Sequence, residues 1–216
     1  MHIVTKTISG KPYLYLAWHE RLGDKRRAKR YQYLGKSPRA AVKKLASLDI
    51  ADKDRLIDSL DGDVWETPVS FLGLVGAVMG GIDLDPATKP SNPTGADRFY
   101  TKDDDGLTQP WAGRVYLNPP YSKPAPFLLR LIESYRAGQV TEAIALCKQG
   151  VLSNKGTCKP IAETAAAVCL WEGRLNFTHS KAKDRGNSAD FDVTAIYWGS
   201  QVDRFRQVFG PYGSVR

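Results

Sequence analysis

Val115-Tyr116-Leu117-Asn118-Pro119-Pro120-Tyr121 is the stretch from which the rest of this chain can be read. Its first three residues form an apolar run that reads as a buried strand. The next four make a rigid corner at the strand's carboxyl end, where open α/β sheets bind their ligands. The Asn118 side-chain oxygen and the Pro119 carbonyl, held by two locked φ angles, can both accept hydrogen bonds from one exocyclic NH2. The Tyr121 face can stack on the ring carrying that amine. The expected ligand group is therefore a planar, conjugated amine. The corner alone does not separate adenine N6, cytosine N4 and a glutamine amide, and a Pro-rich turn without chemistry is the plain alternative.

Around this corner the chain alternates helix and strand. Ser70 to Met79 reads as a helix leading to a strand near Gly81 to Leu84, and Asp97 to Thr101 as a short strand. Gly113 to Leu117 carries the corner. Pro126 to Arg136 places Phe127, Leu128, Leu131, Ile132 and Tyr135 at helical spacing. Glu142 to Cys147 is a buried strand, Ile161 to Ala167 a helix, Val168 to Leu170 a strand, and Asp192 to Trp198 the last long strand. The pattern predicts an α/β fold whose mostly parallel sheet is covered on both faces.

At 216 residues, the chain holds one domain with a full core plus an appendage. No apolar run is long enough to span a bilayer. Met1 opens a mixed polar segment rather than an export signal. Cys147, Cys158 and Cys169 share no metal-ligand spacing, so free thiols are expected, with neither a disulfide framework nor a metal site.

The net charge of +8 is unevenly placed. Residues 1–62 hold 14 Lys/Arg against 7 Asp/Glu, and residues 63–216 hold 17 against 16. Lys11 to Trp18 reads as a strand, Gly23-Asp24 as a turn, and Lys25 to Leu34 as the returning strand. Ser37-Pro38 then caps a helix from Arg39 to Leu48. Arg21, Lys25, Arg26, Arg27, Lys29 and Arg30 crowd this hairpin, which suggests a polyanion such as DNA as its partner. The polar turn Asp58-Ser-Leu-Asp-Gly-Asp63 divides a basic appendage, 1–62, from a second domain, 63–216.

From Trp65 onward the chain resembles the phage-type, Dam-like DNA N6-adenine methyltransferases. The likeness rests on Trp65-Glu-Thr-Pro68, Asp83-Leu-Asp-Pro-Ala87, Thr101 to Leu107, Gln109-Pro-Trp111, Gly113 to Ser122, Glu172 to Phe177 and Ile196 to Gly199. The resemblance implies a Rossmann-like methyltransferase fold, S-adenosylmethionine as donor and adenine in double-stranded DNA as acceptor. It implies catalytic roles for Asn118, Pro119, Pro120 and Tyr121. It implies cofactor contacts from Trp65, Thr67, Pro68, Asp83, Asp85, Pro86, Asp105 and Asn118. It further implies a phage or prophage origin and action in a host cytoplasm, with no membrane or metal partner. The loop Thr178 to Ala189, with Lys181, Lys183 and Arg185, is a second candidate DNA contact. One departure stands out: the acidic-Pro pair runs into Lys89-Pro-Ser-Asn-Pro-Thr-Gly95, with its glycine late. N4-cytosine transfer, protein-glutamine transfer and an inactive DNA-binding domain remain alternatives.

Overall fold

A computed structural model describes residues 1–21, 27–51, 53, 56, 66–175 and 192–216, with only the backbone of Arg27, Pro38 and Arg39. These residues fall into two compact units, one within residues 1–56 and one within 66–216. The boundary expected at 62/63 lies outside the described residues.

The first unit is an antiparallel sheet in the order β1-β2-β3, formed by His2–Ile8, Lys11–Arg21 and Arg27–Gly35, followed by helix α1, Pro38–Ala46. The sequence reading expected the last two strands and the helix but not β1. Ser9 and Gly10, both at positive φ, close the tight turn that folds β1 onto β2, a backbone form suited to two-residue hairpin loops. Ser37 caps α1 by accepting a hydrogen bond from the Ala40 N–H. Side chains alternate across the sheet. Leu14, Leu16, Trp18 and Leu34 point to the face packed with Ala41 and Leu45 of α1 and with Leu56.

The second unit is built on a seven-stranded mixed sheet. Its elements are α2 (Val69–Met79), β4 (Leu84–Asp85), β5 (Arg98–Phe99), β6 (Gly113–Leu117), α3 (Pro124–Arg136) and β7 (Val140–Lys148). There follow α4 (Cys158–Thr164), β8 (Ala167–Trp171), β9 (Val193–Trp198), α5 (Val202–Phe209) and β10 (Gly213–Val215). The strand order is β10-β8-β9-β7-β6-β4-β5. Strands β4 to β8 run one way, while β9, inserted between β7 and β8, and edge strand β10 run the other.

Alternate residues of the central strands supply two cores. Tyr116, Ile144, Leu146, Ala195 and Tyr197 pack with α2 and α5. Val115, Leu117, Ala143, Ala145, Ile196 and Trp198 pack with α3 and α4. Coverage of both faces explains why these strands read as unbroken apolar runs. The helix expected over 161–167 instead starts at Cys158 and ends at Thr164, because Ala165 is already extended and Ala167 pairs with Tyr197 in the sheet. Helix α5 and strand β10 were not expected. The helix is held by Phe205, stacked on Tyr197 at 5.0 Å and on Phe209 at 4.5 Å between ring centroids.

One ion pair locks β4 to β6 at their amino ends. Asp83 accepts from the Arg114 backbone N–H (2.7 Å) and from its guanidinium Nε (3.1 Å), while the guanidinium also donates to the Met79 carbonyl. This pairing holds the Asp83 carboxyl below its usual range. Gly113, at φ 80°, admits the carboxylate: a Cβ there would lie 2.6 Å from Asp83 Oδ2. Gly113→Ala therefore adds backbone strain and displaces the ion pair. We expect a loss of about 2–4 kcal/mol, measured by urea unfolding followed through tryptophan fluorescence.

Candidate active site

Parallel pairing sets β4, β5, β6 and β7 with their carboxyl ends along one edge of the sheet. The corner leaves β6 at that edge, with Pro119 and Tyr121 buried and Asn118 and Pro120 partly covered. Thr67, just ahead of α2, holds it: its Oγ1 lies 2.7 Å from the Tyr116 hydroxyl and accepts from Asn118 Nδ2 at 3.3 Å. Tyr116 and Asn118 are two residues apart, so one hydroxyl reaches both on the same face. An amide anchored through its nitrogen offers its oxygen as acceptor. Sequence reasoning singled out Thr67 and Pro68 for cofactor contact and missed this tie to the corner, for which the sequence carries no spacing signal. Pro68 is the residue preceding the first turn of α2.

Asp85 ends β4 beside β6 and is 2% exposed. Its carboxylate accepts from the Ala87 N–H (3.2 Å) and the Thr94 hydroxyl (2.9 Å), both neutral donors. Burial pushes its pKa from 3.8 up to about 6, against the pull of those hydrogen bonds. Thr94 is a residue sequence reasoning missed, lying in the Pro-interrupted loop after the acidic-Pro pair. A Lys89–Glu66 ion pair at 2.5 Å joins that loop to the segment bearing Thr67.

The loop carrying Asp105 packs on the same region. A Cβ on Gly106 would lie 2.0 Å from the Pro86 carbonyl oxygen, so only glycine allows this approach. Trp111, fully buried, donates from Nε1 to the Gly106 carbonyl at 2.7 Å. Asp105 itself is exposed at φ 48°, and its carbonyl accepts from Thr108. At the end of β7, the Lys148 ammonium stands over the Tyr121 ring, 5.2 Å from its centroid. Tyr121 is 8% exposed, more deeply set than a freely offered stacking platform.

One expectation needs correction. Asp83 is not at this edge: it lies level with Arg114 at the amino end of β6, with both oxygens committed to that guanidinium. Arg30 lies opposite Trp18 on the helix-packed face, where its half-exposed side chain pairs with Glu20 at 2.6 Å. Arg21 and Lys29 do lie on the open face of the sheet. Only the backbone of Arg27 is described. Trp65, Lys25, Arg26, Lys181, Lys183 and Arg185 lie outside the described residues. The cysteines are free thiols, and burial pushes Cys147 far above its usual range. Among the described residues no group of three or more His, Cys, Asp or Glu could hold a metal ion, and no helix is long and apolar enough to cross a membrane.

The family model described as DNA N-6-adenine-methyltransferase (Dam) matches residues 56–205. The chain belongs to this family. It is 38% identical over 158 residues to a DNA N-6-adenine-methyltransferase of Haemophilus phage HP1, covering 72% of this chain and 85% of that protein. It is also 34% identical over 73 residues to the DNA N-6-adenine-methyltransferase of Escherichia phage T1, covering 33% of this chain and 30% of that protein. No solved structure matches the chain. The mixed sheet is compatible with a methyltransferase fold.

Removing the Asp85 charge tests the site's electrostatics. With the folded pKa above the unfolded one, ionisation opposes folding. The cost is absent below pH 3.8, grows from there to about pH 6 and is complete above it. Asp85→Asn keeps an oxygen for the Ala87 N–H, turns its NH2 toward the Thr94 hydroxyl, which can accept from it while donating to Asn92, and removes this cost. We expect the variant to gain up to about 3 kcal/mol at pH 7.5 and nothing at pH 4, read from thermal melts at both values.

Proposed function

We propose that this Dam-family chain transfers a methyl group from S-adenosylmethionine to N6 of an adenine flipped out of duplex DNA. The observation that carries the reading is a pairing at one sheet edge. A neutral acceptor corner stands next to a buried carboxylate whose described partners include no cation. Such a carboxylate fits a cationic cofactor. Asp85, with Pro86 and the Thr67-Pro68 segment, would hold S-adenosylmethionine, its charge meeting the methionyl ammonium. Asp105 would reach the cofactor's adenine from the loop seated on Pro86. When bound, the cofactor supplies an electrophilic methyl on its sulfonium.

The chain's own residues do the rest by positioning. An adenine inside a duplex cannot reach the corner, so it must leave the stack. Its N6 is a poor nucleophile because the lone pair is delocalised into the ring. The Asn118 oxygen and the Pro119 carbonyl each accept one N–H, favouring a pyramidal nitrogen whose lone pair is free for attack. Pro120 stiffens the corner, and Tyr121, which is 8% exposed with the Lys148 ammonium over its ring, would turn outward to stack on the base. Placement and electrostatics provide the acceleration, with no covalent intermediate on the enzyme. Arg21, Arg27 and Lys29 belong to the DNA-holding part, to which Lys25, Arg26, Lys181, Lys183 and Arg185 would add. Family membership among phage proteins favours action in a host cytoplasm.

Two variants separate the roles. Asn118→Ala should lower methyl transfer to an adenine-containing duplex by roughly 100-fold or more while leaving cofactor affinity within a few-fold of wild type. Asp85→Asn should lose cofactor affinity, and its melting temperature should no longer rise when S-adenosylmethionine is added. Calorimetry and labelled-methyl transfer to duplexes with and without adenine are the measurements. Equal loss of binding and transfer in Asn118→Ala, or transfer to adenine-free duplexes, would contradict the assignment.

A further inference from the structure

The three-stranded sheet has two unlike faces. One packs on α1, and it carries Glu20, the sole acidic residue of the three strands, paired with Arg30. The other is open. Register places Lys6 opposite Tyr13, Tyr15 opposite Tyr33, Ala17 opposite Tyr31, and His19 opposite Lys29, all on that open face. Tyr31 and Tyr33 are 42% and 40% exposed, large rings left in solvent with cations among them. No acidic side chain stands on this face among the described residues.

The rings are not offered as bare stacking platforms. The Lys6 ammonium sits 3.3 Å from the Tyr31 centroid, and Lys36 stands 5.8 Å from that of Tyr13. Tyr15 and Tyr33 pack against each other, tilted by 57°. With ring faces occupied in this way, the surface presents ammonium groups and phenol hydroxyls. These groups donate to phosphates and base edges, whereas single-strand binders stack successive bases on open rings. Strands of a sheet are among the elements that enter a groove of duplex DNA.

We propose that the open face of β1-β2-β3 is a docking surface for duplex DNA, with its strands in the major groove and its lysines on the flanking phosphates. This rests on DNA being the substrate, and it moves the contact from the hairpin tip to the whole sheet face. The side chains concerned are Lys6, Tyr13, Tyr31, Tyr33, Lys29 and Lys36.

The test uses the full-length protein with Lys6→Ala/Lys29→Ala, and with Lys43→Ala/Lys53→Ala as a control of equal charge change away from this face. Binding to a 20-base-pair duplex and to its single strands is measured across a salt series. The face variant should bind duplex about tenfold or more weakly at low salt, and its plot of log affinity against log salt should flatten by about 2. Lys6→Arg/Lys29→Arg should restore the slope, the control should stay near wild type, and cofactor affinity should not change in any of them. An unchanged duplex slope in the face variant overturns the proposal, as does a loss confined to single strands. If wild type methylates no adenine duplex while the face variant still loses duplex affinity, the docking surface stands and the methyl-transfer reading falls.

Discussion

The register of β4 against β6 is the constraint on which the catalytic unit depends. Leu84 lies opposite Val115, so Asp85 and the Asn118 corner finish at the same edge. Because side chains alternate with a period of two, a slip by one residue would turn Tyr116 from the α2 side to the other. The Tyr116–Thr67–Asn118 chain of hydrogen bonds would then be lost. The slip is opposed from the far end, where Asp83 grips both the backbone and the guanidinium of Arg114. Gly113 is the concession that allows this grip, and the edge bearing Asn118 inherits its alignment from a contact at the other end of the strands.

That edge accepts a cost. A carboxylate that is 2% exposed and surrounded by neutral donors weakens the empty protein above its folded pKa. The arrangement makes sense if the missing charge arrives with a ligand, since a cation binding there gains what the empty fold lacks. The first position of the corner fits the same logic. Asn118 presents an acceptor without a charge, and an aspartate there would put a second carboxylate near the first, with each raising the other's pKa.

Strands β6, β7 and β9 were legible in the sequence because both faces of the sheet are covered, which makes their middles apolar, whereas β4, expected over 81–84, is only Leu84–Asp85. Strand β1 was not, since Thr5 and Thr7 alternate with lysine and isoleucine in a segment that is mostly exposed. Helix α5 was hidden because only Phe205 and Phe209 are fully buried in it. The site was legible where a rigid backbone carries the geometry, as in Asn118-Pro119-Pro120. It was illegible where the chemistry depends on contacts between distant segments. Thr67 and Asn118 are 51 residues apart, and nothing in either segment announces the other. Asp83 misled for the same reason: two aspartates flank one leucine, and only the strand's direction tells which of them reaches the ligand edge.

The charge distribution divides the work along the chain. Nearly all of the excess positive charge lies in residues 1–62, while the remainder is close to balanced. A cationic cofactor would be repelled by a strongly basic pocket, whereas DNA needs one somewhere to release its counterions. A basic sheet apart in the chain from the near-neutral unit would resolve the conflict. If the basic sheet holds DNA, its affinity is supplied by residues outside the near-neutral unit that carries the corner. Salt should therefore act mainly on how tightly DNA is held, leaving the transfer step, which relies on short hydrogen bonds inside the protein, comparatively insensitive.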